Sequence, residues 1–362
     1  MQTAIPCVLM RSGTSRGPFL LAKDLPKDIA LRDGALLALM GSPHPMQLDG
    51  IGGSRAQTSK VAIVSPSMQA DCDIDYLFAQ VSIEDGVVDT RPNCGNMLAG
   101  VAPFAIEAGL VHPVAGRTRV RIFNVNTGAR VESLVETPDG KVTYDGDASI
   151  PGVNGSAAPV WMTMRDFTGS KTGSLFPTGN RIDVIDGVEM TLIDSAMPMM
   201  LVAAESIGIA DMDAARSIEK DRPTLARIEA LRVKAGHRMG LGDVSGSVIP
   251  KVGLLFSSRE GSIGIAYLMP WSLHRSLAVT GCIALAAASV ADGTIANRLT
   301  RPVGDMFFAE HPAGIMEIGV EKQGDLVVAA TVLRTVRRLF EGRVFLPDHF
   351  FQTQKQTGEM PS

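Results

Sequence analysis

Arg91-Pro92-Asn93-Cys94-Gly95-Asn96 runs directly into Met97-Leu98-Ala99-Gly100-Val101-Ala102-Pro103-Phe104-Ala105-Ile106. The second stretch is apolar on every side, which predicts a buried helix and not an amphipathic surface one. That helix is expected over 95–108, stopped by Gly109. Cys94 stands at its start, where the positive end of the helix dipole favours a thiolate. The unpaired N–H groups of a first helical turn also form an anion site. A thiol and an anion cradle in one place point to proton transfer on a carboxylate. A small buried cysteine at a helix cap is the plainer alternative.

Outward from this segment, short β-branched runs alternate with Gly and Asp turns. Strands are expected at 5–10, 60–64, 74–83, 118–125 and 130–136. Pro138-Asp139-Gly140 reads as a turn joining the last of these to 141–144 in a hairpin. A helix is expected over 28–40, stopped by Gly41. The second half offers strands at 182–185, 189–193, 199–204, 251–256, 263–269, 315–320 and 326–333, and a helix over 280–296. Segment 211–235 is charged and helical and reads as a surface insertion, with Asp221-Arg222-Pro223 marking a fresh helix start. Ser59-Lys60-Val61-Ala62-Ile63 is echoed by Pro250-Lys251-Val252-Gly253-Leu254. The echo suggests an α+β protein of two pseudo-symmetric lobes, each a central helix wrapped by mostly antiparallel strands. The ligand would then lie between the two helix N-termini.

Composition narrows the function classes. At 362 residues the chain exceeds the ~250–300 that a single core usually reaches, which favours two lobes. A net charge of −4 leaves no basic footprint for nucleic acid, so an anionic ligand has to be held by local donors. Cys7, Cys72, Cys94 and Cys282 are far apart, with no CxxC pair and no His at ligand spacing, which argues against zinc and disulfides. The first residues lack the pattern of a signal peptide, and the apolar run 277–291 is too short to span a bilayer. A cytoplasmic protein with no membrane or nucleic-acid partner is expected.

Several motifs follow one another in a familiar order. They are Met10-Arg11-Ser12-Gly13-Thr14-Ser15, Leu48-Asp49-Gly50-Ile51-Gly52-Gly53, Thr58-Ser59-Lys60-Val61-Ala62 and Asn93-Cys94-Gly95-Asn96. Pro177-Thr178-Gly179-Asn180, Ile193-Asp194-Ser195-Ala196-Met197-Pro198, Gly242-Asp243-Val244, Pro250-Lys251 and His274-Arg275-Ser276-Leu277-Ala278-Val279-Thr280-Gly281 continue it. This order resembles the methylaconitate isomerase family, whose members share the diaminopimelate epimerase fold. The resemblance implies a first lobe over 1–181, completed by 342–362, and a second over 182–341 carrying the helical insertion near 211–236. It implies a cofactor-independent isomerase acting on a small tricarboxylic keto acid, with no metal; a homodimer is compatible with it. Met197-Pro198 and Met40-Gly41-Ser42-Pro43 lean towards 4-oxalomesaconate, an intermediate of gallate and protocatechuate breakdown. Methylaconitate or aconitate is the enzymatic alternative, and a non-catalytic binder of tricarboxylates is the other.

Two departures bear on mechanism. Ser12 and Arg16 stand where the family often has Gly and Lys. Ala278 occupies the place of the second catalytic cysteine of the epimerases, and Cys282 lies beyond the glycine, so a two-thiol mechanism is disfavoured.

The resemblance assigns Lys60 to the active site as the base, although read locally it is a strand-edge lysine. A lysine base needs burial or a neighbouring positive charge. Cys94 is either the acid on the opposite face or a member of the anion cradle. Gly13, Thr14 and Ser15 are read as carboxylate donors at a strand-to-loop bend, and Ser59 as a further substrate contact. Asn93, Gly95 and Asn96 would cradle a second carboxylate, with Thr280 and Gly281 doing so at the second helix. His274 and Arg275 are the charged candidates for the remaining one. Gly52 and Gly53 are read as allowing close backbone approach. His44, His112, His237, His311 and His349 carry no supporting context.

Overall fold

The computed structural model describes residues 1–258, 260–301 and 304–351. Its backbone separates into two compact units, Met1–Thr163 with the chain from Leu333 onward, and Met164–Val332. Both divisions fall inside strands, Pro159–Arg165 and Leu326–Pro347, not at 181/182 and 341/342. Residues 352–362, expected to help complete the first lobe, lie outside the described residues.

The first unit contains β1 (Gln2–Ser12), β2 (Ser15–Leu21), α1 (Ile29–Met40), β3 (Lys60–Pro66), β4 (Ile74–Val81) and β5 (Val88–Asp89). It continues with α2 (Gly95–Ala99), α3 (Val101–Glu107), β6 (Gly116–Asn124), β7 (Arg130–Thr137) and the start of β8 (Pro159–Arg165). β1–β2 is antiparallel, β2–β3 parallel, β3–β4 antiparallel, β4–β6 parallel and β6–β7 antiparallel. α1 starts where the Asp28 carboxylate accepts from the Leu31 N–H, and it ends at Gly41. Its Leu36, Leu39 and Met40 cover one face of the sheet, against Val61, Ile63, Ala79 and Val81. The other face holds α2 and α3, where every residue from Met97 to Ile106 is buried. The expected continuous helix is broken there. Pro103 has no N–H for the Ala99 carbonyl, so the ladder fails one turn before it.

The second unit contains β9 (Asp183–Ile185), β10 (Val188–Asp194), β11 (Pro198–Ala203), α4 (Met212–Arg216), α5 (Arg222–Arg238), β12 (Lys251–Phe256), β13 (Ile263–Met269) and β14 (Ser272–His274). α6 (Val279–Val290), α7 (Ile295–Leu299), β15 (Met306–His311), β16 (Gly314–Gln323) and the first part of β17 (Leu326–Pro347) complete it. β10–β11 is antiparallel, β11–β12 parallel, β12–β13 antiparallel, β13–β15 parallel and β15–β16 antiparallel. The order repeats that of β1 to β7 pair by pair. The short echo in sequence is therefore a duplicated sheet plan, each copy enclosing an apolar helix. This is the epimerase-like α+β architecture. β17 then pairs with β1 from Val336 to Pro347, so the C-terminal strand joins the first unit's sheet.

Several local expectations change. The hairpin at 141–144 is absent: β7 pairs with β6, and only the Thr143 N–H returns to the Glu136 carbonyl. The helix expected over 280–296 is two, because Thr294 caps α7 afresh by accepting from the Asn297 N–H. Segment 211–236 is not a surface insertion. Leu225, Ile228, Leu231 and Ala235 form one apolar stripe of α5, buried against Leu192, Met200, Val252 and Leu254. It fills the place that α1 fills in the first unit. Among the described residues no helix is long and apolar enough to cross a membrane.

Arg232 on α5 has a fully buried side chain. Its guanidinium pairs with Glu229 at 2.7 Å and donates to the Val244 and Ile249 carbonyls at 2.8 Å, holding the segment that leads into β12. Arg232→Met keeps much of the volume but strands Glu229 and both carbonyls. It should cost about 3–5 kcal/mol, read as a lower urea midpoint at unchanged slope.

Candidate active site

In the first unit the candidate residues gather along one face of β4. Tyr76, Phe78 and Gln80 alternate onto that face, as strand geometry requires. Lys60, the first residue of β3, lies directly opposite Gln80 in the register. Its Nζ donates to Gln80 Oε1 at 2.7 Å and sits 5.0 Å from the centroid of the Phe78 ring. Gln80 in turn donates to the Ser59 carbonyl at 2.8 Å and the Ala56 carbonyl at 3.1 Å. Lys60 is thus held by its cross-strand neighbour and is not the solvent-pointing edge lysine of the local reading.

Four residues before Gln80 on β4, the Tyr76 hydroxyl donates to the Cys94 carbonyl at 3.3 Å. Burial, aided by Cys94, pushes the Tyr76 phenol well above its usual range, so it stays a neutral donor. Cys94 is the N-cap residue of α2 in extended conformation, and the Leu98 N–H donates to its carbonyl. Of the four cysteines it is the one not buried. Burial pushes Cys7 up to about 12 and, with Asp71, raises Cys72. β4 therefore ties the lysine and the thiol-bearing residue to one sheet face.

The turn between β1 and β2 joins this group. Asn96 Nδ2 donates to Thr14 Oγ1 at 2.9 Å, and Ser12 Oγ donates to the Asn96 carbonyl. Thr14 is exposed and Ser15 buried. Asn93 is exposed, with its Oδ1 accepting from the buried Asn124 at 2.7 Å. Gly95 is the first residue of α2.

Two assignments change. Ser59 is fully buried; its hydroxyl donates to the Val81 carbonyl at 2.9 Å and accepts from Gln47 at 2.8 Å, so it braces the start of β3. The Gly13 N–H donates to the Thr335 carbonyl at 3.0 Å and its own carbonyl accepts from Arg11, which leaves no backbone donor there for a carboxylate. Gly52 and Gly53 are closely approached, but by side chains: Gln47 at the first, Arg16 and Thr58 at the second. Arg16, noted in the sequence only as a departure, has a buried Nε without a hydrogen-bond partner.

The second unit places its candidates at the start of α6. Ala278 is the N-cap, as Cys94 is in the first unit, and it offers no side-chain cap to the first turn. Thr280 is half-buried, while Gly281 packs where a Cβ would lie 2.7 Å from the Tyr267 ring. His274 pairs with Tyr267 in the register and meets its ring edge-on, with centroids 5.9 Å apart. Its Nδ1 is turned inward to Ser276, lying 2.7 Å from the carbonyl and 3.1 Å from the N–H. Arg275 is exposed. His311, which had no supporting context in sequence, is 2 % exposed, and burial together with His274 pushes its imidazole down to about 4. It is neutral at physiological pH.

Sequence reasoning missed Gln80, Tyr76 and Arg16, since each matters through a cross-strand or cross-loop neighbour. Among the described residues no three His, Cys, Asp or Glu side chains come together as a metal site requires.

The family model described as PrpF protein matches residues 2–347. A putative isomerase, YbhH, of Escherichia coli is 48% identical over 95% of this chain and 99% of its own. The 4-oxalomesaconate tautomerase of Pseudomonas putida is 44% identical over 95% of this chain and 96% of its own. The crystal structure of a methylitaconate-delta-isomerase superposes with a TM-score of 0.88 at 36% identity, covering 96% of this chain and 97% of that one.

The approach of β2 to β3 fixes where Lys60 starts. A Cβ on Gly17 would lie 1.9 Å from the Lys60 carbonyl oxygen, so the strands meet there without a side chain between them. Gly17→Ala has to push the strands apart and should cost about 1–3 kcal/mol. Urea unfolding measures the loss, and a crystal structure of the variant should show the start of β3 displaced.

Proposed function

Since the chain belongs to the PrpF protein family and is an isomerase, we propose that it moves a proton on 4-oxalomesaconate, in the cytoplasmic breakdown of gallate and protocatechuate. The observation that carries the reading is that one face of β4 holds both Lys60, through Gln80, and the Cys94 carbonyl, through Tyr76. The 44% identity to a 4-oxalomesaconate tautomerase supports the choice of substrate. A binder of tricarboxylates would need neither a held lysine nor a half-exposed thiol at a helix start.

The reaction takes a proton from one carbon and returns one to another. Between the two steps lies a dienolate, whose charge spreads over keto and carboxylate oxygens. Base, acid and fixed donors at those oxygens are what the protein has to provide. Lys60 is the base, removing the proton from the substrate carbon. Thr14, Asn96, Asn93 and Gly95 hold a carboxylate at the start of α2, with Ser15 behind them. His274, Arg275, Thr280 and Gly281 serve carboxylate recognition in the second unit. Cys94 either returns the proton or completes the cradle. No organic cofactor or metal enters these steps.

A second substrate reading has a specific observation in its favour. The solved methylitaconate isomerase superposes over nearly the whole chain. Methylitaconate, methylaconitate and 4-oxalomesaconate share a carboxylated allylic system and differ in the groups attached to it, which a few pocket residues can discriminate. Ultraviolet assays with each substrate decide between them. Turnover of 4-oxalomesaconate is expected to exceed that of the others, and the reverse order would replace the substrate.

Lys60→Met removes the titrating nitrogen while keeping length. Turnover should fall by about 10²–10⁴-fold, and the substrate's labile C–H should stop exchanging with deuterated solvent, as followed by NMR. Normal exchange in that variant would show that Lys60 is not the base. Cys94→Ser is the contrast, since serine still hydrogen-bonds but is a far weaker acid. A small loss assigns Cys94 to the anion cradle, and a loss comparable to that of Lys60→Met assigns it to proton delivery.

A further inference from the structure

Gln80 holds Lys60 in one fixed sense. Its Nε2 donates to the Ser59 carbonyl at 2.8 Å and to the Ala56 carbonyl at 3.1 Å. Carbonyl oxygens only accept, so both amide hydrogens are committed to the segment leading into β3, and the amide cannot turn over without losing both bonds. Oε1 is thereby directed at Lys60 Nζ, 2.7 Å away. The Phe78 ring, with its centroid 5.0 Å from Nζ, is a second contact on the same nitrogen. Phe78 and Gln80 are two residues apart on β4 and so share a face. Among the described residues no carboxylate pairs with Lys60; the acceptor that meets its nitrogen is a neutral amide.

The strand plan itself does not call for this acceptor. In the duplicated copy Lys251 begins β12 as Lys60 begins β3, and one step beyond the Val252–Leu268 pair it faces Met269. The same register position thus accommodates a methionine, and strand pairing alone does not require Gln80. Charged groups around Lys60 are few. Of the elements packed against β3, α2 has no ionisable side chain, with Cys94 ahead of its first residue. β2 carries Arg16, whose guanidinium lies beside Gly53, and α3 carries Glu107, paired with Arg338. Arg55, ahead of the Ala56 turn, is exposed. Lys23, Asp24 and Asp75 belong to the far end of β3, where Leu21 pairs with Val64 and Asp75 with Ser65.

We propose that Gln80 is the positioning residue of the base, aiming the Lys60 nitrogen through a neutral acceptor that serves it in both protonation states. In the proton-removal step the lone pair of the neutral amine forms a new N–H bond, the substrate C–H bond breaks, and its electron pair passes into the dienolate. One N–H of the amine directed at Oε1 turns the lone pair away from Gln80. As charge builds on the nitrogen the same hydrogen bond strengthens, because an ionised donor is held more tightly than a neutral one. A carboxylate in that place would favour the ammonium before any substrate arrives and keep the proton on it. A methionine would leave the nitrogen unaimed. The inference rests on the isomerase reading above, with Lys60 as its base.

The experiment compares Gln80→Met and Gln80→Glu with the wild type, on whichever of 4-oxalomesaconate, methylaconitate or methylitaconate the wild type turns over. Gln80→Met reproduces the residue that the second unit carries at this position, so the sheet has a precedent for it. Its kcat should fall by about 10–10²-fold, as a misaimed reacting group does, while KM stays close to the wild-type value. Gln80→Glu keeps the shape and adds a charge. The acidic limb of its kcat/KM profile, which reports loss of the proton from the base, should move upward by about one pH unit or more. In Gln80→Met the limb should move the other way, since the ammonium has lost an acceptor. A residue that only braced the sheet would lower stability without moving the limb in opposite directions. A normal kcat in Gln80→Met, or an acidic limb of Gln80→Glu at or below its wild-type position, overturns the proposal, and the first measurement stands even if Gln80→Glu fails to fold. Normal C–H exchange in Lys60→Met, or a wild type inert on all three substrates, overturns the reading of the base and this inference together. A normal Gln80→Met beside an inactive Lys60→Met overturns this inference alone.

Discussion

Enclosure of an apolar helix within each sheet constrains the rest of the molecule. From Gly281 to Ser289 every residue of α6 is buried, and α2 and α3 are nearly as completely covered. Such a helix must be built from small aliphatics, and its flanks leave no room for polar groups. Polar chemistry is confined to the ends, where first-turn N–H groups lack partners. The strands that wrap the helix then decide which side chains reach that end. In the first unit they deliver Lys60, Gln80 and Tyr76; in the second, Lys251, Tyr267 and His274.

The two copies of the plan have diverged at matching positions. Cys94 caps one helix and Ala278 the other. Gln80 faces one lysine and Met269 the other. Phe78 lies beneath Lys60, while Tyr267, its equivalent, carries Gly281 on its ring. The second exchange leaves a side-chain acceptor for the lysine in one copy and none in the facing position of the other.

Much of this was legible in the sequence, for reasons that differ by residue. Lys60 and Cys94 lie in short motifs whose strand-start and helix-start positions are locally encoded. The duplication was visible through Lys60 and Lys251, because buried strands keep their apolar patterns. Ser59 and Gly13 were misread because a hydroxyl or a glycine in a loop carries no mark of burial: the carbonyls of Val81 and Thr335 that occupy them come from distant chain. Gln80 was invisible for the same reason, its role being fixed by strand register. The charged look of 211–236 hid an apolar stripe, since helical spacing distributes a few leucines among many ions. The break between α2 and α3 was readable in Pro103, whose missing N–H outweighs the surrounding helix formers.

The 22-residue β17 also bears on how the chain is made. Its last part pairs with β1 from Gln2 opposite Pro347 to Ser12 opposite Val336, with one shift of register between Leu9 and Met10. β1 is thus made long before the strand that covers its edge. Until then the β1 edge is open, with its row of unpaired N–H and C=O groups available to any other strand. Contacts so distant in sequence form slowly, because the intervening loop must close first. The first unit is consequently the later of the two to be sealed. The interval before it closes is when the nascent protein is most exposed to aggregation and most dependent on chaperones.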